Sequence, residues 1–178
     1  MIEQLKRPLV LWVLFVITLL LTYSFSLIRE QWGLTLLDSI TSPSDSRGLI
    51  GSFTQEQIMV HVWTTAVVDV AYPLAYGLFF AGTALCFFGR FGLYLALPAF
   101  TVIPVDLIEG VVQVLGLLGT VDLLDWKAIL TPAKFILFFA AMGIAMLGWV
   151  VSHLSPHPFA RRIGTHQLCL GRNLAGIH

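Results

Sequence analysis

The stretch Leu97–Gln113, LPAFTVIPVDLIEGVVQ, decides how this chain folds. It is apolar over most of its length, yet it carries Asp106, Glu109 and Gln113. Spacings of three and seven residues put all three on one face of a helix. A carboxylate near the centre of a bilayer costs about 2.5 kcal/mol or more, so such groups turn toward a bundle interior. An apolar helix with one polar stripe therefore predicts a membrane bundle with a buried polar site.

Composition agrees. The chain has 178 residues, 57% hydrophobic and only 11% charged. A soluble domain carries roughly 25% charged residues. Mean hydropathy is +0.87, and the apolar residues gather in runs long enough to cross a membrane. The formal net charge is zero, which gives a nucleic-acid partner no support. Neither GxxxxGK[ST] nor GxGxxG occurs, so no phosphate-cradling loop and no cofactor is indicated. The expected partner is the lipid bilayer. Four helices are few for alternating access, so transport would require a homo-oligomer.

Four spanning helices are expected at about 9–28, 61–88, 91–118 and 128–153. The fold class is then all-α, an integral membrane bundle of four transmembrane helices over residues 1–153, with a tail at 154–178. About 20 residues at 1.5 Å each span one hydrocarbon core of about 30 Å. The first run follows Lys6 and Arg7 and could be a secretory signal, but it exceeds the usual signal core of roughly 7–15 residues. It is read as an uncleaved helix.

The long loop at 29–60 holds an apolar piece, Leu34–Ile40, expected to lie at the interface as a short helix. Thr41–Ser52 (TSPSDSRGLIGS) reads as irregular. Ser52 with Gln55, or Thr54 with Gln57, fits a capping box opening the second span. The fourth span begins either near Lys127 or at Pro132 with Thr131 as its cap. Lys6, Arg7, Arg90, Arg161, Arg162 and Arg172 fall on one side of this topology, against Arg29, Arg47 and Lys127 on the other. The richer side should be cytoplasmic, with both termini inside. Cys86 and Cys169 fall on that side and are expected to be reduced thiols.

The second span carries its own polar stripe: His61, Thr65, Asp69, Tyr72, Tyr76 and Thr83. Pro73 has no N–H for the carbonyl of Asp69, which predicts a kink beside the acid. Counted from the outer helix ends, Asp69 lies about 12 Å deep, Glu109 about 13 Å and Asp106 about 18 Å. If the last span starts near Lys127, Lys134 lies about 10 Å deep. One shared, outward-facing site follows, with His61 and Lys127 near its mouth. Asp69, Asp106 and Glu109 would carry its charge, and Lys134 would be the countercharge. Tyr72, Tyr76 and Gln113 would orient a ligand. Three acids against one lysine cannot all ionise comfortably, so at least one should hold a proton.

Each element also has a plainer reading. The acids could bond the helices together. Lys134 could sit in a first turn and snorkel to the surface. Ala141, Ala145 and Gly148 form a small-residue face suited to helix packing. His153, His157, His166 and Cys169 have no standard metal spacing, so no metal is assigned. No Ser-His-Asp arrangement and no H-E-x-x-H occurs. Three functions stay open: binding or passing a proton, cation or small polar ligand; acid/base catalysis on a lipid-like substrate; and a non-catalytic assembly role.

Two phrases, Asp69-Val-Ala-Tyr72-Pro73-Leu-Ala-Tyr76-Gly77 and Pro104-Val-Asp106-Leu-Ile-Glu109-Gly110, carry a likeness. Together they resemble a group of small bacterial four-helix membrane proteins with D-x-x-[FY]-P-x-x-Y and D-x-x-E-N phrases. Gly110 stands where Asn is common in that group. The resemblance implies a four-helix fold and a bacterial inner membrane. It marks the same residues as the burial argument and implies no activity.

Overall fold

The computed structural model describes residues 2–33 and 35–154. Among these are six helices: α1 (Ile2–Leu5), α2 (Pro8–Trp32), α3 (Pro43–Ser52), α4 (Gln55–Phe87), α5 (Gly89–Leu117) and α6 (Lys127–Leu154). There is no strand among the described residues. Segments α2, α4, α5 and α6 contain the four helices long and apolar enough to cross a membrane. The protein is an all-α bundle of the multi-pass membrane type.

Local chemistry sets the helix ends. Pro8 opens α2, where its missing N–H costs nothing. Gly33, at φ 60, closes it in the left-handed conformation. Helix α4 starts with a complete capping box. Gln57 donates its N–H to the Thr54 hydroxyl at 3.3 Å, and its side-chain oxygen accepts the Thr54 N–H at 3.0 Å. Of the two capping pairs the sequence allows, the structure uses this one. Helix α4 contains one π turn, Thr64–Val68, directly before Asp69. Such turns disturb helix register and concentrate at functional sites. Pro73 lies inside the regular α-helical stretch Asp69–Phe87 that follows, so this turn is separate from the kink expected at the proline.

Helices α4, α5 and α6 pack on one another, and α2 lies against α4 with no comparable contact to α5 or α6. Small side chains allow the close approach. Ala81, Ala84, Ala96, Ala99 and Ala141 sit in the central cluster with Leu85. At the α4–α5 turn a Cβ on Gly92 would lie 2.8 Å from the Ala84 carbonyl oxygen and 2.8 Å from the Leu85 Cα. No larger residue fits there without moving backbone. Aromatic contacts fix α2 on α4: Phe15 against Phe79 and Phe25 against Tyr72, each with ring centroids 5.5 Å apart.

Several expectations are corrected. The second span begins at Gln55 rather than about 61. Thr41–Ser52 is not irregular: Pro43–Ser52 is helical, and the Ser42 hydroxyl accepts the Asp45 N–H at 3.3 Å. Serine, aspartate and proline at the first turn signal a helix start as well as a loop. Leu34 lies outside the described residues. Of the rest of that piece, Leu37–Ser39 forms a short 3-10 helix with Leu37 fully buried. The reduced state expected of Cys86 and Cys169 turns on a residue outside the described ones. Cys169, the histidines at 157 and 166, and the tail after 154 lie outside the described residues, and of His153 only the backbone is described.

Helix α3 is tied across the same end of the bundle. Arg47 donates from Nε to Asp122 Oδ2 at 2.7 Å and from Nη2 to Asp125 Oδ1 at 2.9 Å. The Arg47 bond, followed by the Leu124 N–H, holds the Asp122 carboxyl below its ordinary value. The same carboxylates raise Arg47.

Candidate functional site

Helix α6 starts at Lys127, so Pro132 lies inside it and Thr131 is not its cap. That choice of start places Lys134 one turn further in, on the face toward α5. It is 6% exposed, and its ammonium meets three carboxylates. The distances are 3.1 Å to Asp38 Oδ1, 3.1 Å to Asp106 Oδ1 and 2.6 Å to Glu109 Oε2. The Asp38 contact has hydrogen-bond geometry. The other two oxygens lie off the bonding directions and are held by charge. Lys134 does not snorkel, since a cation among three acids gains nothing by leaving them.

Around this lysine each acid has further partners. Asp106 accepts the Tyr76 hydroxyl at 2.7 Å. Glu109, fully buried, accepts from Lys127 Nζ at 3.2 Å and from the Thr131 hydroxyl. Asp38 accepts the Gln113 amide at 2.7 Å. Burial works against ionisation of Asp38, but Lys134 and the Gln113 amide outweigh it and hold the carboxyl below its usual range.

The mouth assignments of His61 and Lys127 are overturned, because the loop after α2 folds over both. His61 Nε2 accepts the Leu37 N–H at 3.2 Å, and Lys127 Nζ donates to the Leu37 carbonyl at 3.0 Å. His61 is 2% exposed and Lys127 fully buried. With Nε2 accepting, the histidine proton is assigned to Nδ1, which faces the Thr65 hydroxyl at 3.5 Å. Leu37 is thus a plug pinned at both backbone atoms by side chains from α4 and α6.

Asp69 differs from the other acids. It is 6% exposed, yet no described residue hydrogen-bonds or pairs with its carboxylate. It faces a cavity of about 390 Å³ that also reaches Arg29, Tyr72, Asp106, Lys134 and Phe138. Opposite it, a Cβ on Gly110 would lie 3.7 Å from Asp69 Oδ2 and 3.5 Å from Thr65 Cγ2. The glycine leaves room beside the acid where a side chain would otherwise fit.

Of the sequence candidates, Asp69, Tyr72, Tyr76, Asp106 and Lys134 line the cavity together. Glu109 and Gln113 lie behind it, bonded to Lys134, Thr131 and Asp38. Asp38, Thr131 and Arg29 were missed as site residues. Asp38 is the one acid of the apolar piece Leu34–Ile40, which is too short to show a helical period. Its partner Lys134 is 96 residues away. The group therefore holds four acids, Asp38, Asp69, Asp106 and Glu109, against Lys127, Lys134 and Arg29 at the rim. Counted with every group ionised, these seven leave one negative charge over, and among the described residues Asp69 is the acid with no hydrogen-bond or ion-pair partner.

Comparison with family models, curated proteins and solved structures yields no match. The class is therefore defined by fold and site alone: a four-span membrane bundle with an acidic cavity at one end. Among the described residues no group of side chains is arranged to hold a metal ion.

Proposed function

We propose that this protein is a bacterial inner-membrane protein with both termini cytoplasmic, whose outward cavity binds one positive charge. That charge is a proton, a small monovalent cation or a protonated amine, seated against Asp69. The carrying observation is the buried Asp69 carboxyl, which faces the cavity and has no hydrogen-bond or ion-pair partner among the described residues. A buried carboxylate without countercharge either takes a proton or recruits a cation. Asp106, oriented by Tyr76, is the second acid within reach of a ligand. Lys134, Lys127 and Gln113 hold the framework and are too committed to serve the ligand.

The test is thermal stability of the full chain in nanodiscs, wild type against Asp69→Asn, with sodium, potassium or ethylamine added. Asp69→Asn should melt higher without additives, because functional acids are retained at a cost to stability. At least one cation should stabilise wild type and leave the variant unmoved. If the variant melts lower and no cation moves wild type, Asp69 is structural and the reading fails.

Acid/base chemistry on a lipid-like substrate is the second reading. It is favoured by one feature: α2 and α6 both border the cavity without packing closely on each other. Turnover of a lipid-like compound that Asp106→Asn abolishes would establish it.

A further inference from the structure

Asp69 is not the only charged group of its cavity without a described partner. Arg29, in the last turn of α2, lines the same cavity, and no described residue bonds or pairs with its guanidinium. The other charges of that wall are taken. Lys134 sits among three carboxylates, Asp106 accepts the Tyr76 hydroxyl, and Asp38 accepts the Gln113 amide. Helix contacts set the two remaining charges opposite each other. Phe15 packs on Phe79 and Phe25 on Tyr72, so α2 and α4 run antiparallel. Arg29 is one turn past Phe25 on the same face of α2, and Asp69 is one turn before Tyr72 on the same face of α4. Counted along the helix axes, Arg29 lies about 6 Å and Asp69 about 4.5 Å beyond the Phe25–Tyr72 contact, in the same direction. Their backbones are thus nearly level on facing walls, yet the two side chains do not pair with each other. The space between them belongs to a cavity of about 390 Å³. That is the size of a small-molecule site, roughly 300–1,000 Å³, against about 30 Å³ for one water.

We propose that the ligand is a small zwitterion, an ammonium joined by a short stem to a carboxylate or phosphate, with its cation on Asp69 and its anion on Arg29. This rests on the reading of Asp69 as a cation site and adds the ligand's second charge. Charge complementarity selects both ends. A proton, an alkali cation or a simple amine answers Asp69 and leaves Arg29 unpaired. A simple anion answers Arg29 and leaves the buried acid as it is. Only a molecule carrying both signs satisfies both walls at once. The guanidinium suits the anionic end, since its planar fork matches carboxylate and phosphate oxygens in pairs. The rings of Tyr72 and Phe138, which also line the cavity, offer apolar surface to the stem. Free amino acids and the headgroup of phosphatidylethanolamine share this chemistry.

The experiment uses the full chain in phosphatidylglycerol nanodiscs, whose headgroup has no ammonium. Melting temperature is titrated with glycine, β-alanine, γ-aminobutyrate and δ-aminovalerate, and with butylamine and butyrate as single-charge controls. At least one zwitterion should stabilise wild type in a saturable way, at a concentration about tenfold or more below that of butylamine, the worth of one charge-assisted hydrogen bond. Butyrate should not match it. Arg29 is exposed, so Arg29→Gln leaves the packing alone. That variant should reduce the zwitterion to the level of butylamine and leave any butylamine shift intact. Asp69→Asn should abolish both. Replacing part of the lipid with phosphatidylethanolamine identifies the source. If that lipid stabilises wild type but neither variant, and blocks the free zwitterions, the ligand is a headgroup. If the free zwitterions act equally in both lipids, it is a soluble molecule. If Arg29→Gln responds to the zwitterions as wild type does, or if neither they nor phosphatidylethanolamine outdo butylamine, the zwitterion inference falls. Butylamine then judges the cation site, which survives if Asp69→Asn abolishes its shift. If Asp69→Asn responds like wild type, or if no probe moves wild type, both proposals fall.

Discussion

Replacing Lys134 with methionine keeps the length of the stem and removes the charge that three carboxylates share. Each contact, at 2.6 to 3.1 Å, carries about 5–6 kcal/mol of attraction at an effective dielectric near 20. Most of that is offset by the cost of burying the charges. What remains visible in a variant is the penalty for stranding the partners, about 3–5 kcal/mol for one broken buried pair. Here Lys127 still serves Glu109 at 3.2 Å. Asp106 keeps only Tyr76, and Asp38 only Gln113. Two acids are stranded, so the loss should reach the upper part of that range at neutral pH. It should shrink as the pH falls toward the carboxylate range, because stranded acids can take up protons. Unfolding by graded sodium dodecyl sulfate in mixed micelles, from pH 5 to 8, measures both. The double variant with Glu109→Gln should lose less than the sum of the two single losses, since they share one contact. A loss under about 1 kcal/mol, or one that grows on acidification, would refute the view of Lys134 as the electrostatic centre.

Three further outcomes are expected. Tyr76→Phe removes the one hydroxyl that Asp106 accepts and should cost about 1–3 kcal/mol in the same assay, the penalty for an unmade buried bond. Gly92→Ala forces a Cβ to within 2.8 Å of backbone and should destabilise by about 1–3 kcal/mol. Gly110→Ala meets nothing nearer than 3.5 Å and should be neutral or gain up to about 1 kcal/mol of helix propensity. Equal effects at the two glycines would contradict the packing. The third concerns pH. Asp122 and Asp38 both have lowered carboxyl values. Their stabilisation is therefore complete above the unfolded value near about 3.9 and is lost as pH falls through the folded ones. Hydrogen exchange, corrected for intrinsic rate, should show α3 losing protection below about pH 4, and Arg47→Ala should remove that dependence. Protection that improves on acidification would mean the sign is wrong.

Local rules made much of this legible. Span length depends only on a continuous apolar run, so four crossings could be counted along the chain. Shared helix faces depend only on a period of 3.6, so Asp69 with Tyr76, and Asp106 with Glu109 and Gln113, could be grouped before any packing was known. The Thr54–Gln57 cap lies within one turn and was readable for the same reason. The start of α6 was not, because both starts satisfy local capping rules. Glu109 decides between them by taking the Thr131 hydroxyl and the Lys127 ammonium from across the bundle.

Asp38 shows the limit most clearly. Nothing near it marks a site, and only the fold of the loop brings it to Gln113, 75 residues on. His61 and Lys127 look like mouth residues when depth is counted along separate helices. The Leu37 plug that buries them belongs to neither helix. The cavity that α2 and α6 both border likewise depends on which helix pairs touch. Periodicity says which face of a helix is polar, but not which neighbour that face meets, because rotation and partner choice are settled by packing among residues far apart in the chain. The acids and their helix faces were thus properties of short segments. The cavity at Asp69 and the pinned Leu37 plug exist only in the assembled bundle.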